Sequence, residues 1–211
     1  MLGRRFRSPD PCPPLPPHAP GMRIGVLGGT FDPPHAAHRM ITLAALRRLG
    51  LDAVWWLVTP GNPLKNTNEL PSSEERAREA RALARHPRIH VTTVEEAFGT
   101  RFTRMTLEVL KSRCPGVHLV WLMGSDNLQG FHRWQRWTEI MRMMPVAVFD
   151  RPGSTFRAGA SRAGIRFATS RLQETVGRAL VTAKPPAWIF IHGRRSALSS
   201  TTIRAERKAR H

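Results

Sequence analysis

The sequence predicts an α/β protein: a doubly wound, mostly parallel sheet with helices on both faces. Two observations predict it. Short, continuously apolar runs alternate along the 211-residue chain with longer segments whose apolar residues recur at helical spacing. Gly-, Pro- and Asn-bearing stretches follow those runs directly: GGTFDPPHAAH, TPGNPLK, GSDN and DRPG all lie at the exit of a predicted strand. Ligands of open α/β sheets bind beyond the carboxyl ends of the strands, so four such stretches at four exits point to one crevice.

The elements follow in order. Residues 22–27, MRIGVL, read as a buried strand. GGTFDPP cannot continue it, because Gly and Pro punctuate strands. After Pro34, Met40, Ile41, Leu43, Ala44 and Leu46 fall at helical spacing. Residues 53–58, AVWWLV, form a second buried strand, and the polar loop 59–70 leads to a helix over 72–85. Ser72 or Ser73 suits its N-cap, ahead of acidic residues. A strand is expected over 89–94, a helix over 103–111, and the strand VHLVWLM over 117–123 runs straight into GSDN. A helix over 134–143, strands over 146–149 and 187–191, and a closing basic helix over 199–210 complete the alternation. Segment 154–186 shows no clear pattern, and the chain has no internal repeat.

Composition narrows the classes. Residues 8–21 hold seven prolines, so residues 1–21 are expected to be a disordered Pro-rich leader and 22–211 a single domain. Met22 opens the first strand directly and is a candidate start of translation. The formal charge of +18 attracts polyanions: nucleic acid, an anionic membrane surface or phosphorylated small molecules. Only +2 of it falls in residues 1–21 (three Arg against one Asp). No apolar run approaches the ~20 residues of a membrane span, and no apolar stretch follows the basic N-terminus as in a secretory signal. Cys12 and Cys114 make neither a disulfide framework nor a metal quartet, which suits a reducing cytoplasm.

GGTFDPPHAAH carries the chemistry. A helix start behind a strand offers free backbone N–H groups and the positive end of the helix dipole, which together favour phosphate. Gly28 and Gly29 let the backbone approach a ligand, and Thr30 and Phe31 offer backbone N–H groups. His35 and His38 share a face one turn apart, where two imidazoles can donate to a phosphate chain. A metal site is the rival for a histidine pair, but no Cys, Glu or third His accompanies it, and none is expected. Ser200 and Thr201 precede the last basic helix and fit phosphate too; an unliganded N-cap is the plainer alternative. Gly124 and Asp126 suit a ribose, Gly by close approach and Asp by accepting from hydroxyls, although Asp126 also suits a simple turn. Lys65 and Arg151 are loop cations facing the same crevice.

In combination these segments resemble the HxGH nucleotidyltransferase superfamily, and within it the nicotinate-nucleotide adenylyltransferases. GGTFDPPHAAH matches the first signature, LSSTTIR (198–204) the second, and GSDNLQGFHRW (124–134), FTRMTL (102–107) and DRPG (150–153) match segments between them in the same order. The resemblance implies a Rossmann-like fold and transfer of the adenylyl group of ATP to nicotinate mononucleotide. It assigns His35, His38 and Arg204 as catalytic groups on the ATP phosphates, with Gly28, Gly29, Thr30, Phe31, Gly124, Asp126, Ser200 and Thr201 completing the ATP site. It assigns Lys65, Phe102, Thr103, Trp134 and Arg151 to the acceptor, with Trp134 stacking on the pyridine ring. Backbone amides at Phe102 and Thr103 would hold its carboxylate. Mg²⁺ would arrive with ATP and keep most of its waters, without a dedicated protein cage. Ala37 replaces the glycine of HxGH and Phe102 a common tyrosine; the chain also ends soon after LSSTTIR, which bears on oligomer contacts. A sister enzyme using nicotinamide mononucleotide, phosphopantetheine or a CTP-dependent substrate is the first alternative. A basic nucleic-acid-binding module is the second, but the arginines are scattered and no tyrosine interleaves them. Neither nucleic acid nor membrane is expected as a partner, and the sequence leaves the oligomeric state open.

Overall fold

The computed structural model describes residues 14–61, 70–100, 102–151 and 159–193. Seven strands form one sheet in the order β3-β2-β1-β4-β5-β7-β6. They are β1 (Arg23–Gly29), β2 (Ala53–Val58), β3 (Ile89–Thr92), β4 (His118–Gly124), β5 (Val146–Phe149), β6 (Arg171–Leu172) and β7 (Trp188–Ile191). Every neighbouring pair is parallel. The chain steps outward from β1 to β3, then returns to the other side of β1 at β4. That reversal opens a crevice between the exits of β1 and β4. The pattern is the doubly wound, Rossmann-like sheet that the sequence predicts.

Alternation along each strand divides the apolar residues between the two faces. Ile24, Val26, Trp55, Leu57, Trp121 and Met123 belong to one buried cluster, and Leu27, Val54, Trp56, Val58, Val120 and Leu122 to the other. Helices α1 (Ala36–Arg48) and α2 (Ser73–Ala84) cover the second. Helices α3 (Val94–Ala97), α4 (Thr103–Arg113), α5 (Ser125–Gly130) and α6 (Trp137–Met143) pack residues into the first. Ser72 is the N-cap of α2: its hydroxyl accepts from the Glu75 amide at 3.2 Å, and Glu75 reaches back to the Ser72 amide at 2.9 Å.

Five expectations differ from the structure. The first strand does not stop before GGTFDPP: Gly28 and Gly29 continue β1 and pair with Leu57 and Val58, because parallel pairing to β2 needs only backbone groups. The strand over 89–94 ends at Thr92, because the Thr92 hydroxyl accepts from the Val94 amide at 3.3 Å and turns the chain into α3. The helix over 134–143 begins only at Trp137; Trp134 closes a 3₁₀ turn over Phe131–Arg133 with extended backbone. Within the unpatterned segment, a short helix (Arg162–Arg166), the edge strand β6 and a kinked 3₁₀ segment (Glu174–Thr182) appear. Residues 14–21, placed in the disordered leader, lie against the body instead. Leu15 packs on the first core cluster, His18 meets the Trp55 ring edge-on at 5.6 Å, and the Gly21 amide donates to the Gly116 carbonyl at 2.8 Å. Proline restricts the backbone without preventing a side chain from covering exposed indole. The closing helix over 199–210 lies outside the described residues.

Candidate active site

The exit of β1 is built around a column of rings. Phe31 has φ +49°, a left-handed conformation that is costly for an aromatic residue, and its side chain is turned fully into the core. There it stacks on Trp56 at 5.1 Å and meets His38 at 4.6 Å, and His38 stacks on His35 at 3.8 Å. The Trp56 indole N–H donates to the Thr42 hydroxyl at 2.7 Å, which donates to the His38 carbonyl at 2.9 Å. The column thus runs from the buried face of β2 to the first turn of α1.

The histidines are neutral at pH 7. Burial pushes His35 down to about 4, with the Arg151 charge adding to the effect and Asp126 opposing it. Burial, His35 and Arg151 hold His38 well below the ordinary imidazole range. The His35 amide donates to His38 Nδ1 at 3.2 Å, so the His38 proton resides on Nε2. His35 Nδ1 is buried without a hydrogen-bond partner among the described residues. Two neutral imidazoles at a helix start, one with an unpartnered polar atom, form an arrangement suited to a polyanion.

Arg76 anchors this loop, and sequence reading missed it. Only 2% exposed, its guanidinium donates to the carbonyls of Thr30 at 2.5 Å, Thr59 at 2.9 Å and Pro71 at 2.9 Å, and to the Ser73 hydroxyl at 3.1 Å. It therefore ties the exits of β1 and β2 to the start of α2. The available signal was its place on the same helical face as Ala77, Ala80 and Ala84.

Across the crevice, Arg151 donates to Asp126 at 2.8 Å, and the Arg151 amide donates to the Ser125 hydroxyl at 2.9 Å. β1, β4 and β5 are adjacent and parallel, so their exits lie side by side at one edge of the sheet. Asp126 and Arg151, read from sequence as serving different substrates, are partners in the free protein. GSDN, read as a loop, opens α5 and puts Asp126 in its first turn. Gly124 lies under the pair: an added Cβ would come within 2.3 Å of Asp126 Oδ1 and 2.8 Å of Arg151 Cδ. Phe102 and Thr103 stand at the start of α4, as N-cap and first residue. Behind them, buried Glu95 accepts from the Thr106 hydroxyl, and burial raises its carboxyl to about 7. Trp134 packs against Phe131 and Trp121. Gly29 faces the Phe31 ring, with 3.4 Å left for a Cβ. Lys65, Ser200, Thr201 and Arg204 lie outside the described residues. A groove of about 590 Å³ opens between α1 and the exits of β5 and β7, lined among others by Met40, Leu43, Arg47, Phe149 and His192.

A doubly wound sheet with an anion-directed loop at its switch point defines a class of nucleotide-handling proteins. Residues 26–206 match the model of the cytidylyltransferase-like family, and the chain belongs to that family. Among curated relatives it is 54% identical to the probable nicotinate-nucleotide adenylyltransferase of Methylorubrum extorquens, over 87% of this chain and 99% of that protein. It is 51% identical to the protein of the same name from Brucella suis, over 87% of this chain and 94% of that one. Its fold is similar to that of the Plasmodium falciparum nicotinic acid mononucleotide adenylyltransferase complexed with NaAD, with a TM-score of 0.63 at 15% identity, covering 87% of this chain and 83% of that one.

Proposed function

We infer that this protein transfers the adenylyl group of ATP to nicotinate mononucleotide, giving nicotinate adenine dinucleotide and pyrophosphate in NAD biosynthesis. The observation that carries the reading is the neutral His35–His38 pair facing Asp126 and Arg151 at the switch point of the sheet. The names of relatives with half or more of their residues identical support it.

The acceptor's 5′-phosphate is already anionic and needs no general base. Its oxygen forms the new bond to the α-phosphorus, and the bond to the bridging oxygen breaks, with pyrophosphate leaving with the electron pair. The protein's work is alignment and charge stabilisation. His38 Nε2–H and the His35 ring donate to the triphosphate without a charge of their own, and Arg204, Ser200 and Thr201 would join them. Mg²⁺ arriving with ATP would be held by phosphate oxygens and would supply charge neutralisation for the leaving pyrophosphate. Arg151 exchanges Asp126 for the acceptor phosphate, and Asp126 turns to a ribose. Lys65 adds a second cation. Trp134 stacks on the pyridine, and the amides at Phe102 and Thr103 receive the carboxylate. The groove beside α1 has the apolar walls and few polar groups that suit a nucleoside. No described helix is long and apolar enough to cross a membrane, and we place the enzyme in the cytoplasm with its substrates.

Pyrophosphate release from ATP and Mg²⁺ with each acceptor tests the reading. Nicotinate mononucleotide is expected to exceed nicotinamide mononucleotide in kcat/KM by at least about tenfold. A carboxylate at a helix start gains ~0.3–1 kcal/mol from the dipole, and a buried carboxamide N–H facing amides is left unpaired at a cost of ~1–3 kcal/mol. Equal efficiency with both, or turnover only with phosphopantetheine, overturns it.

A further inference from the structure

Gly28, the penultimate residue of β1, reads from sequence as approaching the donor, yet the protein itself occupies the space beside it. A Cβ at Gly28 would come within 2.5 Å of Trp121 Cη2, and within 3.4 and 3.5 Å of Cζ2 and Cζ3. The glycine is therefore required by an indole from the neighbouring strand β4. Trp121 is only 3% exposed and belongs to the first core cluster. The same ring meets Trp134 edge to face, with centroids 6.3 Å apart at 78°, and Trp134 also packs on Phe131 at 5.1 Å. One rigid bicyclic ring thus touches the backbone of the β1 exit and the side chain assigned to the acceptor's pyridine.

We propose that Trp121 is a positioning residue that couples the two substrate subsites, setting the distance between the Gly28 backbone and Trp134. The proposal rests on the reading of Trp134 as the acceptor's stacking partner. Close packing leaves no slack to absorb a displacement at one end of the ring. In-line transfer needs the attacking and receiving atoms ~3–3.5 Å apart, so a small change in spacing carries a large penalty. Glycine at 28 and the large ring at 121 are then two halves of one contact.

A double-mutant cycle of Gly28→Ala and Trp121→Phe tests this, with KM measured for each substrate and melting curves for every variant. Gly28→Ala should raise the acceptor KM about fivefold or more, although it alters the donor side of the crevice, because the methyl displaces Trp121 and through it Trp134. In the Trp121→Phe background, where the smaller ring relieves the contact, Gly28→Ala should change acceptor KM by less than about twofold. A Gly28→Ala effect confined to ATP, or one of equal size in both backgrounds, overturns the coupling. Should Gly28→Ala not fold, Trp121→Phe alone decides: a rise in KM for both substrates is expected, and a rise for only one overturns the proposal. Trp134→Ala is measured alongside. If it leaves acceptor KM unchanged, the stacking assignment has failed; if it raises KM while the cycle is additive, the coupling has failed.

Discussion

The exit of β1 and the exits of β4 and β5 prepare for anions in opposite ways. At β1 the donors are neutral rings, locked by the Trp56–Phe31–His38–His35 column and by the Arg76 anchor. At β4 and β5 the donor is a full charge that is already spoken for: Arg151 is 15% exposed and bonded to Asp126, which is 46% exposed. A substrate must compete for it. On the proposed function, one crevice combines a preorganised half, where rate would be made, with an exchangeable half, where affinity would be set. Damage to the first should appear in kcat and damage to the second in KM.

The sharpest way to break that contrast is His38→Ala. One lost donor to the developing charge should lower kcat by about 100- to 1000-fold, ~2–4 kcal/mol. A kcat within threefold of wild type removes His38 from the chemistry. Arg76→Met comes next. It strands the Thr30, Thr59 and Pro71 carbonyls at ~1–3 kcal/mol for each one left buried and unpaired, so kcat should fall about 10- to 100-fold as the loop relaxes. Arg76→Lys should not restore it, since an ammonium cannot span three carbonyls with a planar fork; full activity in Lys would show that only the charge matters. Arg151→Lys tests the exchangeable half. Acceptor KM should rise about tenfold with kcat within threefold, because a point charge replaces a bidentate donor. A collapse of kcat at unchanged KM would erase the proposed division.

The smallest effects are in stability against pH, and the two signs differ. His35 has its pKa depressed from 6.5 to about 4 in the folded chain. The unfolded chain therefore takes up a proton first as pH falls, and stability is lost between roughly pH 6.5 and 4. His35→Gln should flatten that acid slope by a few degrees in thermal melts. Glu95 is raised from 4.5 to about 7. Its contribution is complete below pH 4.5 and is lost as pH rises through 7. Glu95→Gln should accordingly gain melting temperature relative to wild type at pH 8 and not at pH 4.5. The same change at both pH values would show that Glu95 does not titrate in this range.

The sequence alone determined the strand–helix alternation, because a two-sided parallel strand must be apolar along its length and a covering helix must be apolar on one face. That requirement is visible in AVWWLV and VHLVWLM without any neighbour. It also placed His35 and His38 at a helix mouth, and Phe102 and Thr103 at another, because Gly, Pro and helical spacing are local signals. Tertiary structure decided what those signals do not encode. Gly28 looked open to a ligand until Trp121, nearly a hundred residues later in the chain, proved to fill its space. Asp126 and Arg151 looked like separate hands until β4 and β5 came side by side and paired them. Arg76 looked like one more surface arginine among 33 basic residues until burial turned it to three carbonyls in two separate connections. Even residues 14–21, too proline-rich for regular structure, found a surface to cover at Trp55 and Gly116. Each of these depends on which atoms meet across the fold, and a contact between distant residues leaves no periodicity in either of them.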